Sequence, residues 1–384
     1  MIPFLIGIPA VLAVVFQIVR NEKIRGYIVY AGAGAIMAMT VVFIADWIGG
    51  GAKTWMFYPR TETIDHLMTA GDIFLMCLIV WLSVRYKRVL PMILSILQTV
   101  LVLYVEFTAE VTEGPHMMVD WLTILMCIII AFIGGFICIY TVGYMKGYHQ
   151  HHKDVKDRQP FFFSMLFLFL AAMFGLVLSQ NLIWIYFFWE ITSVISFLMI
   201  GYTRTEEAVG NSFCALWMNL LGGLGFAIAI VLMALGQESL QLTEVVSTGA
   251  LLPLMCLSLA GLTKSAQLPF STWLLGAMVA PTPSSALLHS ATMVKAGVYL
   301  LIRISPALSG NLVGLIVSSI GGLTFIMASM MAIAQNDAKK VLAFSTISNL
   351  GLIVACSGIG VEETVWAAIF LMMFHAVSKS MLFQ

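Results

Sequence analysis

Two lysines and a histidine stand inside an apolar run that has no obvious place for them. In GLTKSAQLPFSTWLLGAMVAPTPSSALLHSATMVKAGVYLLIRISP, residues 261–306, Lys264, His289 and Lys295 are surrounded by apolar neighbours, and Pro269, Pro281 and Pro283 interrupt the run. Ionisable groups at membrane depth are costly; they face a bundle interior or a water-filled cavity and mark function by default. Interrupted helices at that depth are tolerated where they line such a cavity or are buried in protein. The stretch therefore reads as part of an ion path, and the rest of the chain as its housing.

Other groups join it. Glu190 lies mid-run in LIWIYFFWEITSVISFLMIGY, with no charge for many residues on either side. A lone buried carboxylate neutralises unless it has a partner, and Lys264 is the natural candidate. At 100° per residue Ser285, His289, Thr292, Lys295 and Tyr299 share one arc of about 120° on a straight helix. Tyr186, Glu190, Ser193 and Ser196 form a similar stripe, and His375 and Lys379 are i, i+4 neighbours. One such stripe reads equally as a structural hydrogen-bond seam, and one lysine equally as a fixed ion pair. Three stripes with titratable groups favour a proton relay, because burial can bring a lysine into the working pH range and a neighbouring carboxylate can take it out again.

The elements that must position these groups follow from composition. Of 384 residues, 61% are apolar and 10% charged, against about 25% charged in a soluble domain, and the mean hydropathy is +0.99. Apolar runs of about 20 residues, each long enough to span a bilayer, fall near 2–20, 27–48, 69–85, 89–109, 119–144, 161–180, 182–202, 210–236, 251–279 (broken at Pro269), 284–304, 311–334, 341–358 and 364–384. This predicts an all-α polytopic membrane protein of about 13 transmembrane helices. Without period-2 alternation a transmembrane barrel is disfavoured, and zero net charge argues against nucleic acid as a partner. The run at 2–20 lacks a basic segment before it and is read as a retained helix. The six cysteines stand singly, so no disulfide, zinc site or iron–sulfur cluster is expected. The loop at 149–160 holds three histidines but is charged enough to read as solvated.

Loop charges give an orientation. Arg20, Lys23, Arg25, Arg85, Lys87, Arg88, Lys146, Lys153, Lys156, Arg158, Arg204, Lys339 and Lys340 fall on one side; Lys53, Arg60 and Arg303 fall on the other, where Glu110, Glu113, Glu238, Glu244, Glu362 and Glu363 also lie. The positive-inside rule then puts the N-terminus outside a cell inner or plasma membrane. Asp46, Asp72 and Glu106 lie near the ends of their expected helices and are read as interfacial.

The broken stretch (261–301), VDWLTILM (119–126), GYM (143–145), FFWEITSVISFLMIGY (187–202), NDAKKVLAFSTISNLG (336–351) and HAVSK (375–379) resemble the antiporter-like subunits of complex I, multisubunit cation/proton antiporters and energy-converting membrane-bound nickel–iron hydrogenases. Residues 119–384 carry the resemblance; 1–118 hold no recognisable motif. It implies inverted five-helix repeats: N-terminal helices over 1–118, a helix and cytoplasmic loop over 119–160, a first repeat and proton half-channel over 161–304, and the start of a second repeat over 305–384. The implied translocation residues are Glu190, Lys264, His289, Lys295, His375 and Lys379, with Glu190 beside Lys264 and Lys379 similar to the central lysine.

The stretch from GYMKGYHQHHKDVKDRQ to FFWE looks most like the hydrogenase (Ech-type) branch. The resemblance thus implies a redox-driven proton-translocating subunit with no cofactor of its own, its iron–sulfur and nickel–iron centres residing in partner subunits. The alternatives are a complex I subunit or a subunit of a multisubunit sodium/proton antiporter; a purely structural scaffold ranks last because it leaves three buried lysines unexplained. There are five spans before the first repeat where the family usually has three. The second repeat is two helices short, so its remaining helices are expected beyond Gln384 or from a neighbouring subunit.

Overall fold

The computed structural model describes residues 1–58, 62–109, 114–153, 155–236 and 239–384. The charges read at Arg60, Glu110, Glu113 and Glu238 lie outside the described residues. Helices dominate: α1 (Ile2–Ile18), α2 (Glu22–Gly49), α3 (Glu62–Arg85), α4 (Val89–Thr108), α5 (Trp121–Ile128), α6 (Gly135–His151), α7 (Gln159–Leu178), α8 (Leu182–Ile200), α9 (Glu206–Leu235), α10 (Leu242–Thr248), α11 (Leu251–Lys264), α12 (Thr272–Gly276), α13 (Thr282–Ala286), α14 (Met293–Leu308), α15 (Leu312–Ile333), α16 (Ala338–Ile359) and α17 (Glu362–Phe383). Among the described residues, 11 helical stretches are long and apolar enough to cross a membrane. The shorter apolar helices α1 and α11 fall on the two remaining expected spans. The chain is a polytopic all-α membrane protein.

Local sequence sets the helix starts. Asn21, Asp120, Asn181, Thr205, Asn311 and Asp337 each stand at an N-cap, and each side-chain oxygen accepts from the free backbone N–H groups of the first turn. The sequence did not announce a two-stranded antiparallel ribbon, β1 (Trp55–Phe57) with β2 (Met117–Val119), Met56 opposite Met118. It ties the α2–α3 connection to the start of α5.

Burial grades from rim to centre. In α3 only 22% of the apolar window is covered by protein, in α7 it is 89%, and in the stretch from Thr282 to Leu308 it is 100%. The segment that looked central in sequence is the physical centre. α11 and α9 flank it, α14 packs on α11 and α16, and α17 lies over the turn before α14.

Three expectations change. Arg303 is no loop charge: it lies inside α14 and forms an ion pair with Asp120, because the helix runs to Leu308. Arg25 is buried and donates to Gln159 Oε1 at 2.7 Å, so it adds little to the count of solvated charges. Asp72 is not interfacial: α3 begins at Glu62 and not near residue 69, which places Asp72 ten residues into the helix, where it is 4% exposed.

Candidate proton-transfer site

The break comes earlier than Pro269. α11 ends at Lys264 itself; Ala266 then takes φ +53°, the Leu268–Pro269 bond is cis, and helix resumes at Thr272. Backbone groups freed at membrane depth need internal partners, and three side chains supply them. Trp273 Nε1 donates to Thr263 O at 3.0 Å, Gln267 Nε2 to Ser265 O at 2.8 Å, and Leu268 N to Thr324 Oγ1 at 3.1 Å. Ending the helix at Lys264 puts a cation at the negative end of the helix dipole. Pro281 and Pro283 do not break a helix. Pro281 is the N-cap of α13 and Pro283 lies in its first turn, where a missing N–H costs nothing.

Lys264 is fully buried and reaches across to α8. Its Nζ donates to Trp189 O at 2.9 Å and to Ser193 Oγ at 2.8 Å, and lies 4.6 Å from the Trp189 ring centroid. Among the described residues no ion pair joins it to Glu190. Glu190 Oε2 instead accepts from Gln98 Nε2 at 2.8 Å, and its Oε1 has no hydrogen-bond partner among the described residues. The two groups still act on each other electrostatically. Each keeps a free position: an ammonium has three donors, of which Lys264 uses two, and Glu190 has an unpartnered oxygen. Gln98, on α4, was missed in the sequence. Its only signal is a single amide amid PMILSILQTVLVLYV.

The second group of bases gathers between α14, α16 and α17. Lys295 Nζ lies 2.6 Å from His375 Nδ1 and donates to Met372 O at 3.1 Å. Lys379 Nζ donates to Ser345 Oγ at 2.8 Å and to Leu342 O at 3.3 Å. His289 is fully buried beside Phe383, ring centroids 5.2 Å apart, and neither ring nitrogen has a hydrogen-bond partner among the described residues. His375 feels the charges of Lys295, Lys379 and His289 together. Lys295, His375, Lys379 and His289 thus form one buried group of titratable side chains.

The straight-helix stripe does not survive as drawn. Leu287–Ala291 widens to π-helical turns and Thr292 leaves helical geometry at φ −130°, ψ −94°. Tyr299 bonds elsewhere: its hydroxyl donates to Val177 O at 2.8 Å and accepts from Arg303 Nε at 3.0 Å. The stretch expected as a loop over 149–160 is shorter, since α6 runs to His151 and α7 begins at Gln159; His149 Nε2 lies 3.1 Å from the Tyr202 hydroxyl and His152 Nδ1 3.1 Å from Tyr148 O.

Residues 179–384 match the family described as NADH:quinone oxidoreductase/Mrp antiporter, TM, and residues 114–154 match the one described as the N-terminus of chain 5 of NADH-ubiquinone oxidoreductase (complex I). The Na(+)/H(+) antiporter subunit A1 of Staphylococcus haemolyticus is 38% identical over 289 residues, covering 69% of this chain and 35% of that protein. The putative antiporter subunit mnhA2 of Staphylococcus aureus is 37% identical over the same length, with the same coverage of each chain. This chain spans about a third of the length of these curated relatives. In the solved Mrp complex from Dietzia sp. DQ12-45-1b, one chain superposes with a TM-score of 0.64 at 29% identity, over 83% of this chain and 36% of that one. A chain of the membrane-bound sulfane sulfur reductase, an archaeal respiratory membrane complex, gives a TM-score of 0.64 at 18% identity, over 84% and 70%, and shares the fold.

Proposed function

We infer the function of this chain from its membership: it belongs to the NADH:quinone oxidoreductase/Mrp antiporter transmembrane family. It is an antiporter-like membrane subunit, and we propose that it carries protons along Glu190, Lys264, Lys295–His375 and Lys379, with His289 beside the last three. The observation that carries the reading is that these titratable side chains are all buried on the central helices while hydrogen-bonded chiefly to neutral groups. Groups locked in ion pairs hold a fixed charge; groups held by a carbonyl, a hydroxyl, an amide or an imidazole can lose or gain a proton without breaking a pair. When Glu190 is ionised, its field holds a proton on Lys264. When Glu190 is protonated, Lys264 is free to pass its proton on toward the Lys295–His375 pair.

For the complex, we propose a multisubunit cation/proton antiporter embedded with other membrane subunits in the plasma membrane. The A-type antiporter relatives support this over the Ech-type hydrogenase expectation. The second reading, a redox-driven pump of the complex I kind with its redox centres in partner subunits, rests on the family description and the match at residues 114–154. Vesicles carrying the assembled complex separate the two. Proton movement driven by an imposed sodium gradient supports the antiporter; proton movement that needs an electron donor and ignores sodium overturns it in favour of the pump. No proton movement under either drive defeats both.

A further inference from the structure

Asp72 is a buried carboxylate that the path above does not use. It lies mid-way along α3, 4% exposed, and its Oδ2 has no hydrogen-bond partner among the described residues. A carboxylate in such a place is expensive unless it can hold or exchange a proton. α3 packs against both α4 and α8. The contact with α8 is close at Gly71, where an added Cβ would come within 2.6 Å of the Phe187 ring. Small residues at helix crossings let backbones approach in this way, and the crossing at Gly71, next to Asp72 in sequence, brings α3 onto the helix that carries Tyr186 and Glu190. The charged and titratable groups acting on Asp72 are Glu190 from α8 and Glu106 from α4. Tyr186, fully buried, feels the same three carboxyl groups.

Beyond Asp72 the protein opens. A cavity of about 420 Å³ lies at the end where α3 and α8 begin, lined by Asp65, His66, Thr69, Glu106 and Trp184 among others. At about 30 Å³ per water it has room for on the order of ten. Thr69 Oγ1 donates to Glu106 Oε2 at 3.0 Å, and Trp184 Nε1 to Asp65 Oδ1 at 2.7 Å, so both carboxyl groups are held at the cavity wall.

We propose that Asp72 is the proton carrier of a lateral branch linking Glu190 to this acidic vestibule, a second access route to the relay from α3 and α4. Both helices precede the segments that match the family. The step conserves charge. The O–H bond of a protonated Glu190 breaks as one forms on the Asp72 carboxylate, and the proton then passes to Glu106 and the vestibule; the reverse order loads Glu190. The unpartnered oxygens, Glu190 Oε1 and Asp72 Oδ2, are the acceptor atoms such a step requires. The branch rests on the proposed proton-carrying function of Glu190.

The test uses the assembled complex in sealed vesicles, with the pH of the compartment facing the vestibule varied while the other is held constant. Wild-type and Asp72→Glu should show a proton flux that follows the pH on that side. Asp72→Asn should lose that response and on the order of 10²-fold of the rate, the lower end of what a positioned proton carrier supplies. Asp72→Asn with wild-type rate and response, alongside a Glu190→Gln variant that is inactive, overturns the branch and leaves the proton-carrying function standing. Glu190→Gln with normal flux removes that function and the branch with it. If Asp72→Asn does not assemble, Glu106→Gln decides: loss of the same-side pH response supports the branch, an unchanged response overturns it.

Discussion

Lys295 Nζ and His375 Nδ1 lie 2.6 Å apart with no carboxylate among their hydrogen-bond partners. At that separation one nitrogen must offer a lone pair, so the two hold one proton fewer than their full complement. This pair bridges α14 and α17, and in the proposed path it stands between Lys264 and Lys379. His375→Ala removes the acceptor and leaves Lys295 with the Met372 carbonyl. We expect an assembled complex whose proton flux is reduced roughly 10²-fold, the lower end of what a proton-transfer group supplies. Flux measured by a pH-sensitive dye in vesicles checks this; a reduction smaller than about threefold would remove the pair from the path.

Asp120 and Arg303 do a different job. Asp120 caps α5 through Thr123 N at 2.9 Å, and the Arg303 fork grips both its oxygens while also donating to Thr123 Oγ1 at 2.6 Å. Burial pushes the Asp120 carboxyl up, but the Arg303 hydrogen bonds and charge, with the Thr123 contacts, prevail and hold it below its ordinary value. A depressed folded-state pKa stabilises the fold above the unfolded value, near pH 4 for Asp, and that stability disappears as pH falls through the folded value. The melting temperature of the detergent-solubilised protein should therefore drop below about pH 4. Asp120→Asn should destabilise by about 3 kcal/mol at neutral pH, as for a broken, largely buried pair, and should flatten the acid limb. An acid limb of unchanged slope in the variant would exclude the pair as its source.

How much of this was legible in the sequence depends on whether a feature was local. Glu190, Lys264, His289, Lys295, His375 and Lys379 announced themselves as ionisable groups in apolar surroundings, and each is buried. The span pattern was equally plain, since hydropathy acts residue by residue. What escaped depended on where helices start and cross. Asp72 looks interfacial in sequence because polar residues in the first turns of α3 hide its start at Glu62. Gln98 meets Glu190 across 92 positions of chain, and nothing in either helix alone says so. The Ser285–Tyr299 stripe assumed a straight helix; the π-helical turn and the kink at Thr292 turned Tyr299 toward Val177. The hydrogen-bond partners of Lys264 escaped for a related reason, although its electrostatic partner is Glu190 as expected. Side-chain type suggested a carboxylate, while the broken helix delivered the amine to a backbone carbonyl one residue earlier.

Gly297 tests the packing that delivers it. α11 and α14 touch backbone to backbone there: a Cβ on Gly297 would meet Gly261 O at 2.7 Å, Ser265 N at 2.7 Å and the Lys264 carbonyl carbon at 3.1 Å. None of these is a flexible side-chain tip, so Gly297→Ala must part the helices. We expect a loss of about 1–3 kcal/mol of stability, the usual cost of overpacking, together with reduced proton flux as Lys264 is displaced from Ser193. Thermal unfolding and vesicle flux on one preparation check both. Wild-type values in each would show that the contact relaxes without moving Lys264.

Lys264 offers the most direct test, because two substitutions fail for different reasons. Lys264→Ala deletes the amine that donates to Trp189 O and Ser193 Oγ. Flux should fall by roughly 10²-fold or more, as when a proton-transfer group is removed. Lys264→Arg keeps a cation and donors for the same oxygens, so a structural role would be largely preserved. Arginine, however, remains protonated at any working pH and cannot release its proton when Glu190 is neutralised. If Lys264 serves as a relay, Arg should assemble as well as wild-type and transport as poorly as Ala. If it only braces α11 against α8, Arg should transport like wild-type and Ala should be the one that melts early. Measuring assembly, melting temperature and flux for both variants distinguishes these outcomes, and a Lys264→Arg complex with wild-type flux would end the case for this lysine as a proton carrier.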